Sequence, residues 1–275
     1  MFQVEFLLQG TVLPVTMGEF RVSDNFLLEK GISRNYEHEC TIAYFGTEKS
    51  EKENYFRTAG ESVEFFVLVY CFIAGTPVTL REGVGIGIDS LESLGKRRVS
   101  FPEVEKLNMV YMGDPLDNPL TKPFLYARKM YLDFLPDRKK IRDSYLGIVL
   151  LYYYYAVCAS ETRRLDELFI DLMIAAEALL IKQDDSICAP LCNRLAALIS
   201  IDATERIAIC RTMRRLYDIR CGIVHGRGKK PTLVDARQLF VYVRKAIENA
   251  FSMWTLSKEE IVEKLDNEWT PPLNQ

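Results

Sequence analysis

Residues Thr204 to His225 read TERIAICRTMRRLYDIRCGIVH, and Gly226 follows directly. Apolar side chains recur there at i, i+3, i+4 and i+7, the period of an amphipathic helix. The same period runs through Arg138 to Ser160, Arg163 to Lys182, Ile187 to Ser200 and Thr232 to Trp254. Turn formers separate the segments: Asp184-Asp185-Ser186 before Ile187, Asp202 before Thr204, and Gly226-Arg227-Gly228 with Pro231 before Thr232. Five helices joined by short connections predict an antiparallel bundle.

Working outward toward the N-terminus, the pattern changes. Met112 to Pro123 (MGDPLDNPLTKP) holds three prolines and a glycine and reads as a linker. Before it, Phe2 to Leu8, Thr11 to Val15 and Thr41 to Phe45 are short apolar or β-branched runs bounded by turn formers or charge, as strands are. Glu51 to Ile73 has helical spacing and is stopped by Gly75 and Pro77. Val78 to Leu80 and Gly83 to Ile88 look extended again; in the latter, glycine alternates with Val or Ile and leaves one strand face bare. Neither a dinucleotide fingerprint nor a P-loop is present there. The expected fold class is α+β: a mixed α/β N-terminal domain, residues 1–122, followed by an all-α antiparallel bundle, residues 123–275.

The chain has 275 residues, 48% of them hydrophobic, and a net charge of −3. That length and apolar fraction suit a globular protein with a real core and exclude a disordered, collagen-like or disulfide-framed chain. The charge is unevenly spread. Met1 to Leu120 holds 11 Lys/Arg against 18 Asp/Glu, whereas Ser186 to Met253 holds 12 against 5. A locally basic segment attracts a polyanion through its own field, although a solvated helix face gives the same composition. Seven cysteines, an odd number, and a start (Met1-Phe2-Gln3-Val4-Glu5) without a basic n-region predict reduced thiols in a cytoplasmic protein. The longest uncharged apolar run, Tyr145 to Ala159, has 15 residues, short of the ~20 that span a bilayer. No membrane association is expected.

Only two histidines exist, His38 and His225. His38 sits in a charged stretch with no second His nearby and reads as a surface residue. His225 closes the segment Leu216-Tyr217-Asp218-Ile219-Arg220-Cys221-Gly222-Ile223-Val224-His225-Gly226. Gly226 is placed as a left-handed glycine after a helix would be. A histidine in a last helical turn feels the negative end of the helix dipole, which favours its protonated form and suits proton transfer. Arg220 is permanently cationic and forked, matched to a phosphate. Five residues at 100° each set Arg220 and His225 about 140° apart on an ideal helix. The reach of Arg220, a break at Gly222 or a second chain must bring them together.

The helical half resembles a HEPN domain (higher eukaryotes and prokaryotes nucleotide-binding), whose hallmark is an Arg followed by His after four to six residues late in a helical bundle. The resemblance covers roughly Asp137 to Met253, about the 100–150 residues of a typical domain. Leu168 to Leu180, with Ala175-Ala176-Glu177-Ala178-Leu179-Leu180, resembles the family's glutamate-bearing helix. Asn193-Arg194-Leu195-Ala196-Ala197-Leu198, taken with Leu216 to Arg220 and Ile223 to Gly226, is similar to the branch called Apea-like HEPN. The N-terminal half resembles no family we recognise.

The resemblance implies metal-independent RNA cleavage, without a cofactor, by a homodimer that brings two motifs to one cleft. Arg220 would hold the scissile phosphate and neutralise its transition-state charge. His225 would take the proton of the attacking ribose 2′-hydroxyl or return one to the leaving oxygen, leaving 2′,3′-cyclic phosphate and 5′-hydroxyl ends. Active members of the family commonly carry a polar residue directly after the Arg; this chain has Cys221, a weak hydrogen-bonder. Glu177, among alanines and leucines, needs a partner if buried, and Arg220 is the candidate.

Other roles stay open on the residues alone. Arg220 can pair with Glu177 or Asp218 as a purely structural bridge, His225 can cap a helix end, and Glu177 can point outward. Arg211, Arg214 and Arg215 before the motif, with Arg227, Lys229 and Lys230 after it, either track an RNA backbone or form a solvated face. A non-catalytic RNA- or nucleotide-binding module, or a dimerising scaffold whose acidic N-terminal domain takes a protein partner or ligand, are the alternative functions. Cys188, Cys192, Cys210 and Cys221 lack a C-x-x-C knuckle and read as small core residues, so no metal is expected. Tyr152 to Tyr155 cover all sides of a helix and read mainly as core or interface.

Overall fold

A computed structural model describes residues 2–9, 19–23, 26–32, 39–47, 52–75, 78–87, 122–161, 164–226 and 228–269. His38, Arg227, the run Thr11 to Val15 and nearly all of the linker Met112 to Pro123 lie outside the described residues. In chain order the elements are β1 (Phe2–Gln9), β2 (Glu19–Ser23), β3 (Phe26–Ile32), β4 (Glu39–Thr47), α1 (Lys52–Ala74), β5 (Thr79–Gly87), α2 (Lys122–Phe134), α3 (Arg138–Arg142), α4 (Tyr145–Glu161), α5 (Leu165–Leu180), α6 (Cys188–Ile199), α7 (Ala203–Val224), α8 (Leu233–Phe251) and α9 (Lys258–Glu268).

This architecture corrects the expectation of an α+β chain with a mixed α/β N-terminal domain. The described structure is mostly helical, with helices packed against helices. Its β part is one sheet in the order β2-β3-β4-β1-β5, antiparallel at every pairing. Parallel strands need a crossover helix between them, and antiparallel strands do not. Only α1 stands between strands in the chain, and the other described helices follow β5.

The described residues form two compact units, dividing after Lys139. Helix α2 therefore belongs with the first unit, although the sequence reading began the second domain at residue 123. In the first unit, β1 lies between β4 and β5, and its register sets Phe2, Val4 and Phe6 opposite Gly87, Gly85 and Gly83. Helices α1 and α2 contribute Phe65, Phe66 and Tyr131 to a core that Phe26 of β3 completes. Phe26, Phe66 and Tyr131 meet edge to face, with ring centroids 5.3 to 5.9 Å apart.

The second unit is all helix. The segment Arg138 to Ser160 is broken into α3 and α4 because Ser144 donates from its hydroxyl to the Ile141 carbonyl (2.6 Å) and accepts from the Leu146 amide (3.2 Å). Helix α4 is apolar on every side. It packs along α5 and buries Leu146, Val149, Leu150 and Tyr153, while Ile148 and Tyr155 remain exposed. Helix α5 also packs on α8, and α6 on α7. No described helix is long and apolar enough to cross a membrane.

Two buried arginines hold this unit together. Arg194 on α6 donates to Asp266 Oδ1 and Oδ2 of α9 at 2.7 and 2.9 Å, to the Leu180 carbonyl at 2.8 Å and to Asp185. All the fork's directions are thereby used, which is what a buried guanidinium requires. Arg206 on α7 instead meets carbonyl oxygens, those of Ser200 (2.7 Å), Ala197 and Glu268 (both 3.4 Å), at the C-terminal ends of α6 and α9. A cation there answers the negative end of each helix dipole.

Candidate active site

Helix α7 starts at a cap in which Asp202 accepts from the Glu205 amide (2.7 Å) and ends at His225, whose backbone N–H still bonds the Cys221 carbonyl at 3.0 Å. Gly226 then takes φ +64°, the left-handed region that ends a helix cleanly. His225 therefore caps the helix, and it is exposed.

Arg220 lies on a different side of α7, facing α5. Its Nη2 is 3.3 Å from Glu177 Oε1 and 3.4 Å from Oε2, and both side chains are about one-fifth exposed. The guanidinium also sits over the Tyr217 ring, 5.7 Å from its centroid. Arg220 Nε is buried and makes no hydrogen bond among the described residues. Burial raises the carboxyl pKa of Glu177 above its ordinary value, more than the Arg220 charge lowers it. Of the two acidic partners the sequence left open, Glu177 is the one in contact. Asp218 is exposed and makes no ion pair with Arg220.

The basic residues separate into different roles. Arg211, Arg215, Asp218, Gly222 and His225 follow at spacings of four, three, four and three, and so share one face of α7. Arg211 and Arg214 are exposed and make no ion pair among the described residues. Arg215 is tied by its Nη1 to Asp235 of α8. Asp235 in turn closes a capping box with Thr232, and hydrogen bonds from Arg215 and Thr232 outweigh its burial to keep its carboxyl below the usual range. Lys230 is exposed in the connection to α8.

Gly222 is buried beneath Lys229. A Cβ at position 222 would stand 2.5 Å from Lys229 Cβ and 3.1 Å from its Cγ, so only glycine admits the lysine stem against the helix. Of the three ways to bring Arg220 and His225 together, a break at Gly222 is absent, because the helix runs unbroken through it to Val224.

The thiols occupy a neighbouring part of the α6–α7 contact. Cys192 and Cys210 are buried, and Cys210 Sγ lies 3.2 Å from the Cys192 carbonyl. Burial pushes the Cys192 thiol far up and the Cys210 thiol up to about 11, so both stay protonated at neutral pH. Cys221, directly after Arg220, is partly exposed and is not in a disulfide.

A groove of about 530 Å³ between Tyr145 and Trp254 includes none of the residues the sequence singled out. What the arrangement offers is a surface: a guanidinium steadied from behind, an imidazole at a helix end and cations along one face. The residues sequence reasoning missed are Asp235, which engages Arg215 from 20 positions away, and Arg206, buried against carbonyls. Comparison of the chain with protein-family models, with curated proteins and with solved structures returns no match.

Proposed function

We propose that this chain is a metal-independent endoribonuclease of HEPN type, acting through Arg220 and His225. The observation that carries the reading is the Arg220–Glu177 contact: a carboxylate from α5 steadies the guanidinium from behind while about one-fifth of the arginine side chain stays exposed. A fixed, partly exposed guanidinium suits a phosphate whose charge grows in the transition state. His225, exposed at the end of α7, is accessible to a ribose 2′-hydroxyl as base or to the leaving oxygen as acid.

Within one copy the two residues project from α7 about 140° apart. A homodimer in which Arg220 of one protomer and His225 of its partner meet one phosphodiester answers that separation. Binding of the flanking RNA falls to Arg211, Arg214, Lys229 and Lys230.

A second reading, an RNA-binding module without turnover, is favoured by Cys221, a poor hydrogen-bonder beside Arg220. One experiment separates the two. Wild type and His225→Ala are incubated with a mixed RNA pool in EDTA, and the product ends are analysed. Cleavage by wild type alone, leaving 2′,3′-cyclic phosphates, supports the nuclease. RNA retained uncut by both proteins supports the module.

A further inference from the structure

The set of described residues between Gly226 and Thr232 is held at three points. At its start Gly226 and Gly228 take φ +64° and +74°, which reverse the chain after α7. In its middle the Lys229 stem lies on Gly222, with Cβ, Cγ and Cδ all within contact of the place a side chain would fill. At its end Pro231 is buried, and Asp235, inside its capping box with Thr232, is gripped by Arg215. Such fastening is more than a solvated linker needs, since an exposed loop of this length tolerates almost any conformation.

The consequence is a cation of fixed position. Position 222 belongs to the α7 face that carries Arg211, Arg215, Asp218 and His225, and Lys229 supplies there the side chain that glycine lacks. Its stem therefore crosses α7 one helical turn before His225, while the ammonium reaches solvent. Arg215, counted from the sequence among the RNA-binding residues, is instead occupied by Asp235.

We propose that Lys229 is the phosphate-binding cation that positions single-stranded RNA beside His225, and that Gly222 and Arg215 are the residues that position Lys229. The inference rests on the RNA-directed function proposed above. It adds which cation meets the backbone and why its place is fixed. Arg215 acts here through Asp235, and Gly222 acts by leaving room.

The test uses the full chain and a fluorescein-labelled, 2′-O-methyl RNA of about 20 nucleotides, which binds but cannot be cut by 2′-hydroxyl attack. Anisotropy gives the affinity over a series of salt concentrations, and amide exchange is followed from Gly228 to Thr232. Lys229→Ala should lower the slope of log affinity against log salt by about 0.7, one phosphate contact with a single strand. Lys229→Arg should restore it. Gly222→Ala should lose the same slope and speed exchange across the loop. Lys229→Met, which keeps the stem on Gly222 and removes the charge, should keep slow exchange but lose the slope. A purely structural role for Lys229 would not separate those two readouts. If Gly222→Ala fails to fold, the Lys229→Ala and Lys229→Arg pair decides. Wild-type binding with an unchanged slope in Lys229→Ala overturns this inference alone; no RNA binding by wild type overturns the proposed function and this inference together.

Discussion

Arg220 Nη2 and Glu177 Oε1 stand 3.3 Å apart across the contact between α7 and α5. The carboxylate is held partly out of water, and burial raises its pKa despite the neighbouring cation. The pair is thus a poor stabiliser and a good positioner: desolvation consumes much of the Coulomb attraction, while the geometry fixes the fork. Glu177→Gln, which keeps the shape and removes the charge, should leave the thermal midpoint within a few degrees of wild type and lower RNA cleavage about tenfold. Differential scanning calorimetry and single-turnover cleavage measure the two. Full activity in Glu177→Gln would show that the carboxylate does not steady Arg220.

Arg194 presents the opposite balance. Its fork answers Asp185, Asp266 and the Leu180 carbonyl, and Arg194→Ala would strand all three. The expected cost is about 3 kcal/mol, at the lower end for a broken buried pair because Asp266 is half exposed. Urea unfolding provides the measurement, and a loss under about 1 kcal/mol would mean that water replaces the guanidinium easily.

Asp171 on α5 gives a pH signature. Burial, with the nearby charge of Glu167, pushes its carboxyl up to about 6. A carboxyl raised on folding favours the native state while protonated, and that contribution fades as pH rises from the unfolded value toward about 6. Asp171→Asn should therefore stabilise the protein by about 1–2 kcal/mol at about pH 7.5 and leave it unchanged at about pH 4. Thermal midpoints at both pH values check this. An equal gain at both would assign the effect to packing.

Asp235 has the reverse sign. Its folded carboxyl is held below the ordinary value by Arg215 and Thr232, so its contribution is present at neutral pH and is lost as pH falls through the folded value. Asp235→Ala should cost about 1–2 kcal/mol at neutral pH, the range of a lost helix cap. The difference from wild type should shrink in acid, as urea unfolding along a pH series would show.

Much of the second unit was legible because burial imposes a 3.6-residue period, and α5, α6, α7 and α8 each carry it plainly. Helix α9 escaped notice although Ser257 and Glu260 spell a capping box, with the Ser257 amide donating to Glu260 at 2.7 Å. Helix α2 was hidden because its Pro123 falls in a proline-rich stretch, yet proline is welcome in a first helical turn. The balance of helix and sheet was misjudged because β-branched runs announce strands without announcing how they connect.

At the site, Arg220 and Glu177 were readable as a pair because a carboxylate among alanines demands a cation. The Arg215–Asp235 bridge and the Lys229–Gly222 contact were not readable. Both depend on the path of a glycine-bearing turn, which periodicity does not describe.

The most direct test of the central claim substitutes a single 2′-deoxynucleotide at a mapped cleavage position of an RNA oligonucleotide and follows cleavage in EDTA. If the neighbouring 2′-hydroxyl is the nucleophile that His225 activates, wild type will cut the all-ribose strand to 2′,3′-cyclic phosphate ends and leave the substituted strand intact. Cleavage of the substituted strand would contradict the mechanism, because a nucleophile other than the ribose would then have attacked the phosphate.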